Sequence, residues 1–416
     1  MKDVLLKKGP YALLDKATIA LIGFVYVVLS ARIISTEEYG ALMLALSIYN
    51  FLILYSDSGT GNALIKYGAE GKEREKVMGS AFRIKLLSAA AVSFLSIAFA
   101  FMLPSVFSSP QLFNLFLYMP VLIFSMILNT FFKQGLQSEH RIREIFFIDF
   151  LGLIAMAVFF MVFGYLGILH SSLQVIVILS MVNFISALYG MRLAPHAISR
   201  ICRIRDRLWE RKILRFSAFS SVSSLGSIIY TRTDMVMIGI FLGTAGVAVY
   251  GSAWMLASAV YLIPQAAYMV VFPAASKLSF EGKENEMKRL YWKGVGYSLA
   301  LSIPASLILI LFPERILSVI YAGRYTESAY VLQILAIWGI IRPFGNIAGA
   351  FVDGMGKPHI NAMVIWITAG INVVANIFFI PKYGVIGAAY ASILAFMIGA
   401  PLSMAYVFFR FRGFDK

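Results

Sequence analysis

The segment Glu70–Lys76 reads EGKEREK, and Glu281–Met287 reads EGKENEM. Five of the seven letters agree at a displacement of 211 residues, about half of the 416-residue chain. A charged heptad recurs by chance in many proteins. What this one means depends on where the two copies fall in the architecture, and composition sets that architecture first.

Apolar residues make up 60% of the chain, charged residues only 14%, and the mean hydropathy is +0.81. Soluble domains carry about 25% charged residues, so this is the composition of a chain that lives in a bilayer. The net charge of +15 does not indicate nucleic-acid binding, which needs basic residues gathered on one solvated face; here they fall in short clusters between apolar runs. No nucleic-acid partner is expected. The single cysteine, Cys202, excludes an intrachain disulfide and reads as a bystander thiol. The first residues, MKDVLLKKGPYALLDKATIALIGFVYVVLSAR, place basic residues before an apolar run without a small-x-small cleavage site, so they read as a retained first span.

A helix crossing about 30 Å of hydrocarbon needs about 20 mostly apolar residues. Twelve stretches qualify: 11–30, 40–65, 86–103, 112–132, 145–163, 173–191, 216–242, 246–275, 294–311, 329–351, 360–380 and 385–409. With the N-terminus inside, nearly all Lys and Arg outside these stretches, including those from Lys66 to Lys85 and from Arg192 to Arg215, fall in cytoplasmic segments; Arg32, Arg315, Arg324 and Lys382 are left to the outer loops. That asymmetry predicts N-in, C-in topology in the cytoplasmic (inner) membrane.

The heptads now have a place. EGKEREK follows the second span and EGKENEM the eighth, on the same side. The same displacement pairs Tyr39-Gly40 with Tyr250-Gly251, and Gly135-x4-His140 recurs as Gly354-x4-His359 at 219. Six spans between copies make the halves parallel. The expected fold is an all-α membrane protein of twelve transmembrane helices, in two parallel pseudo-symmetric six-helix lobes around a central cavity. The lobes are residues 1–192 and 216–416, joined by a basic amphipathic cytoplasmic linker, 193–215. In that linker Ile198, Ile201, Ile204, Leu208 and Trp209 recur every three or four residues among arginines, either a helix at the headgroup surface or a basic connection obeying the topology rule.

Enzyme motifs are missing: no D-x-D, H-x3-D, Walker A, H-E-x-x-H or G-x-S-x-G. His140, His170, His196 and His359 fall in loops or near span ends. The chain therefore reads as a transporter and not an enzyme, with no cofactor and no metal. Its functional candidates are charges inside spans, which are costly in lipid: Asp15, Lys16, Asp57, Asp149, Arg232, Asp234 and Arg342, with Lys133 and Asp353 nearer the cytoplasmic ends. Two readings stay open, a hydrated cavity or interhelical ion pairs that consume them all. Helix breakers, Ser-Asp-Ser-Gly-Thr-Gly around Asp57 and Pro343 directly after Arg342, favour backbone lining a watery space.

The stretches TDMVMIGIFLGTAGVAVYGSA, GMGKPHINAMVIWITAGINVVANIFFIPKYGVIGAAYAS and LSARIISTEEYGALMLA resemble the polysaccharide-transporter, O-antigen-flippase branch of the multidrug/oligosaccharidyl-lipid/polysaccharide exporter superfamily, over nearly the full chain. The most specific matches are Asp234 with Ile238-Gly239 and Gly243, and Asn372, Asn376, Pro381, Gly384 and Gly387-Ala-Ala. The resemblance implies two six-helix lobes flanking a cleft, and alternating access that moves a lipid-linked oligosaccharide across the membrane. It implies membrane lipids, a polysaccharide polymerase and glycosyltransferases as partners, and coupling to H+ or Na+. On that basis Lys16, Arg232 and Arg342 are expected to bind phosphate or acidic sugar, Tyr230 and Trp338 to stack on sugar rings, and Asp15, Asp57 and Asp234 to carry the coupling ion. Two alternatives remain: a cation-coupled multidrug exporter, whose first-helix acid Asp15 resembles but whose pattern Lys16 departs from, and a membrane polysaccharide polymerase or glycosyltransferase, which the short outer loops disfavour.

Overall fold

The computed structural model describes residues 2–54, 57, 59–71, 73–193 and 205–412. All regular structure among them is helical, and the chain divides into two units, Met1–Leu225 and Gly226–Lys416. The helices are α1 Lys2–Ile33, α2 Thr36–Leu54, α3 Thr60–Ala69, α4 Arg74–Val106, α5 Gln111–Ser138, α6 Ile142–Tyr165 and α7 Ser172–Leu193. They continue with α8 Arg207–Phe280, α9 Glu284–Leu311, the short α10 Pro313–Tyr321, α11 Ala329–Gly354, α12 Pro358–Tyr383 and α13 Val385–Arg412. Residues 194–204, which include Ile198, Ile201 and Ile204, lie outside the described residues. From Arg207 onward the basic stretch is already helix α8, and the unit boundary falls inside that helix.

Among the described residues eleven helices are long and apolar enough to cross a membrane, but one of these candidates, Ser224–Phe280, is 57 residues long. At 1.5 Å per residue it measures roughly 86 Å, nearly three times a hydrocarbon core. It cannot be one span. Gly243, with φ 74° and ψ −174°, breaks it into two arms, 207–242 and 244–280. Dividing that one candidate turns eleven into the expected twelve crossing helices, and the connection expected over residues 243–245 shrinks to a single non-helical residue. Glycine is required there because that backbone region is closed to residues with a Cβ.

The units repeat one packing scheme. In the first, α5 packs against α4 and α7, and α7 against α6; in the second, α11 packs against α9 and α13, and α13 against α12. These are the third with fourth, fourth with sixth and fifth with sixth spans of each unit. The heptads share this correspondence in backbone detail. Gly71 and Gly282 both turn left-handed, at φ 71° and 68°. Each amide donates to the carbonyl three residues earlier, Gly68 and Ser279, at 3.3 Å in both cases. Such a glycine ends a helix because it alone takes this conformation without strain. Tyr39 and Tyr250 are both buried. The third sequence pair is out of register: the left-handed residues that close α5 and α11 are His140 and Gly356, 216 apart, so the Gly-x4-His match at 219 is a coincidence.

Small residues set the helix contacts. Along α9, Gly294, Ser298, Ser302 and Ser306 are all buried, one helical turn apart, the stripe that lets membrane helices approach closely. Along α4 the equivalent stripe is Ala81, Lys85, Ala89 and Ser93. Lys85, expected in a cytoplasmic loop, is therefore inside the helix and fully buried; α4 begins at Arg74, twelve residues before the expected span. Beside it, Glu73 accepts from Lys76 and from the indole Nε1 of Trp209, and these two donors hold its carboxyl below the usual range.

Gly243→Ala is expected to lower stability by roughly 1–3 kcal/mol through backbone strain alone. A lower thermal midpoint of the purified protein in detergent, relative to Gly296→Ala at a helical glycine with open space around it, checks this.

Candidate functional site

The second unit encloses a cavity of about 490 Å³ between both arms of α8 and helices α11, α12 and α13. Its polar lining includes Thr231, Gln265, Asn346, Asn361 and Thr368, and among the described residues Arg342 is the one charged side chain that lines it. Arg342 sits near the middle of the apolar stretch Thr326–Gly354 and is 6% exposed. Its guanidinium carbon lies 3.7 Å from the ring centre of Tyr261 and 3.8 Å from that of Trp338, with Phe396 at 5.3 Å and Tyr230 at 5.7 Å. Tyr261 and Trp338 are themselves 5.9 Å apart, so they close on the cation from adjoining sides.

Aromatic faces stabilise a cation in a dry setting, by about 2 kcal/mol when desolvated. They do not accept its in-plane N–H groups. Nε and Nη1 of Arg342 are buried without an acceptor among the described residues, while the Tyr230 hydroxyl lies within hydrogen-bonding reach of the Trp338 indole nitrogen. A buried guanidinium without an anion is costly, and its two unanswered N–H groups mark a site shaped for something polar. Pro343, the next residue along α11, has no N–H to give the Gly339 carbonyl. Gly399 admits α13 to the cavity wall, since a Cβ there would sit 2.0 Å from Thr368 Oγ1.

Three of the expected substrate residues, Arg342, Tyr230 and Trp338, are thus brought together. The rings pack on the guanidinium, and Trp338 stands behind it, outside the lining. Arg232 and Lys16 do not join them. Arg232 is two residues from Tyr230 and two from Asp234, so it projects from the opposite side of its helix and is partly exposed; Lys16 is exposed in the first unit.

Asp234 is 2% exposed and fully engaged. Asn372 and Asn376 donate to Oδ1 at 3.0 and 2.7 Å, and Tyr250 and Ser392 to Oδ2 at 2.6 and 2.5 Å. Four donors fill the acceptor positions of a carboxylate. Asp234, expected to carry an ion, instead fastens both arms of α8 to α12 and α13.

The first unit holds a less complete cluster. Asp15 of α1 lies against Asp149 of α6, and Lys133 of α5 donates to Asp149 Oδ1 at 2.6 Å. Both acids are at least nine-tenths buried, and Asp15 Oδ1 and Asp149 Oδ2 have no donor among the described residues. The charges of Lys133 and Lys16 both act on Asp15, so the cluster sets two acids beside two ammoniums, of which only Lys133 is bonded to an acid among the described residues. Asp57, in a π-helical turn between α2 and α3, accepts from Gln134 at 3.2 Å and faces Lys85 Nζ at 3.6 Å. No group of three or more His, Cys, Asp and Glu among the described residues could hold a metal ion.

Lys85 and Tyr261 are the residues sequence reading missed. Lys85 had a signal, its place in the small-residue stripe of α4; Tyr261 had none, since only the tertiary fold brings it to Arg342.

The chain belongs to the polysaccharide biosynthesis protein family, whose sequence model matches residues 5–279, and the MatE model matches 220–378. It is similar to the probable low-salt glycan biosynthesis flippase Agl15 of Haloferax volcanii, at 29% identity over 197 residues. That match covers 47% of this chain and 42% of the relative, less than half the relative's length. Among solved structures, it resembles an inward-facing multidrug resistance MATE family transporter of the MOP superfamily at TM-score 0.78 and 15% identity, covering 97% of this chain and 98% of the other. It also resembles the lipid II flippase MurJ in an inward closed conformation at TM-score 0.72 and 18% identity, covering 95% and 87%. At such identities the structural likenesses speak to the fold: a multi-pass, all-helical membrane transporter fold.

Asp57→Leu leaves the fully buried Lys85 without its carboxylate and is expected to cost about 3 kcal/mol. Asp57→Leu with Lys85→Met is expected to recover most of that loss, read as thermal midpoints in detergent.

Proposed function

We propose that the protein flips a lipid-linked oligosaccharide, a polysaccharide repeat unit on a polyprenyl carrier, across the cytoplasmic membrane by alternating access, with both termini inside. The observation that carries this reading is the cavity around Arg342: a buried cation with unanswered donors, neutral hydrogen-bonding side chains and aromatic walls. Such a lining suits the polar, anionic head of a glycolipid, while the tail stays in lipid. Family membership and the flippase named among the relatives support it.

Coupling falls to the first unit. Asp15 and Asp149 lie against each other and keep carboxylate oxygens without a donor among the described residues, so they are the acids that take up H+ or Na+, whereas Asp234 has no acceptor position left for an ion. The glycosyltransferases that build the carrier-linked glycan and the polymerase that extends it would act before and after this step. The multidrug-exporter reading, favoured by the MatE match, fits the cavity less well: a cationic drug would meet a guanidinium and no lining carboxylate.

Deletion of the gene is expected to accumulate lipid-linked glycan on the inner leaflet, and wild-type protein to clear it. Arg342→Ala is expected to cut clearance at least about tenfold, the effect of losing one charged binding partner, at normal membrane abundance. Wild-type clearance by that variant would remove Arg342 from the mechanism. Asp15→Asn is expected to abolish the response of flipping to an imposed ion gradient while glycolipid binding persists.

A further inference from the structure

Resting on the flippase reading, we infer that the cavity of the second unit is a subsite for one negatively charged sugar of the glycan, a uronic-acid-type residue whose carboxylate seats on Arg342, and not for the carrier's diphosphate.

Charge decides first. Arg342 is the one charged lining residue among those described, so the cavity answers a single negative charge. A diphosphate brings about two or more, and the excess would be left in a low-dielectric interior where unpaired charge is most costly. No protein acid competes for the guanidinium. Asp353, the acid on the same helix, is eleven residues away, about 16 Å along α11. Its Oδ2 accepts from Asn361 at 3.0 Å and from Tyr268. Asp234, near Tyr230, is saturated by its four donors.

The remaining lining matches a sugar ring. Tyr261 is within hydrogen-bonding reach of Gln265 and Asn346, so hydroxyl and amides form a continuous donor–acceptor strip beside the cation. A diphosphate, which only accepts, would leave the acceptors of that strip unanswered; a sugar, whose hydroxyls both give and take, answers them. The rings of Tyr230 and Phe396 line the same cavity and offer apolar faces to the C–H side of a pyranose. At about 490 Å³ the cavity is near the small end of the roughly 300–1,000 Å³ range of ligand pockets. It takes a short piece of a glycan rather than a whole repeat unit with its carrier.

The test is equilibrium binding of radiolabelled methyl glucuronide to the full-length protein in lipid nanodiscs, with unlabelled methyl glucoside and inorganic pyrophosphate as competitors. Saturable glucuronide binding is expected, with the neutral glucoside weaker by about 30-fold or more, as for a lost buried charge partner, and pyrophosphate no better than chloride. Arg342→Gln is expected to abolish binding. Asn346→Asp is the control for folding: one turn from Arg342, it supplies an internal counter-charge, so the thermal midpoint should hold or rise while glucuronide binding is lost. Equal binding of glucoside and glucuronide, displacement by pyrophosphate, or undiminished binding by Asn346→Asp would each overturn the inference. Those outcomes leave the flippase reading intact; that reading falls if deletion of the gene leaves glycolipid clearance unchanged, whatever the sugars do.

Discussion

Every ionisable group that a membrane helix carries into its apolar interior has to be met by something, because water is not there to meet it. Much of this protein's interior is organised by four different answers to that demand. Asp234 is met in full by four neutral donors from three helices. Lys85 is met by one carboxylate and a glutamine-supported turn. Asp15 and Asp149 lie against each other, with Lys133 bonded to Asp149 alone. Arg342 is met by aromatic rings, which stabilise its charge and leave its N–H groups open. Completeness falls along that series, and capacity for a ligand rises.

The two units share packing and loop closure while their interiors carry different chemistry. The helix pairings correspond, and Gly71 and Gly282 end their helices with the same turn and the same hydrogen bond. Yet the residue 211 positions before Asp234 is Gly23, and the one 216 positions before Arg342, the offset between the closing turns of α5 and α11, is Met126. Duplicated geometry has been filled with an acid-rich cluster in one copy and a cation-centred cavity in the other. Backbone termination and close helix contact depend on a few small residues, so they survive wholesale replacement of the side chains between them.

That separation explains what could be read from the chain alone. Spans and the repeated packing depend on local composition and on glycine, so they were legible; even Gly243 stood in the expected gap. The charges at Asp15, Asp57, Asp234 and Arg342 were legible because each interrupts an apolar run. Their partners were not, because Asn372 and Asn376 lie more than 130 residues from Asp234 and Tyr261 is no different in sequence from other membrane tyrosines. Lys85 was misplaced for a specific reason: counting lysines to orient loops assigns any lysine near a loop to the loop, although its four-residue spacing with Ala81, Ala89 and Ser93 put it on the packed face. The Gly-x4-His pair misled in the opposite way, since matching letters carry no register unless the backbone turns at the same place.

Pro343 gives α11 an uneven stiffness. The turn from Gly339 to Pro343 lacks one backbone bond and has a glycine at its start, so bending of that rod concentrates there, at the very residue that holds the unanswered charge. An anion held by the guanidinium would therefore pull on the least braced turn of that helix.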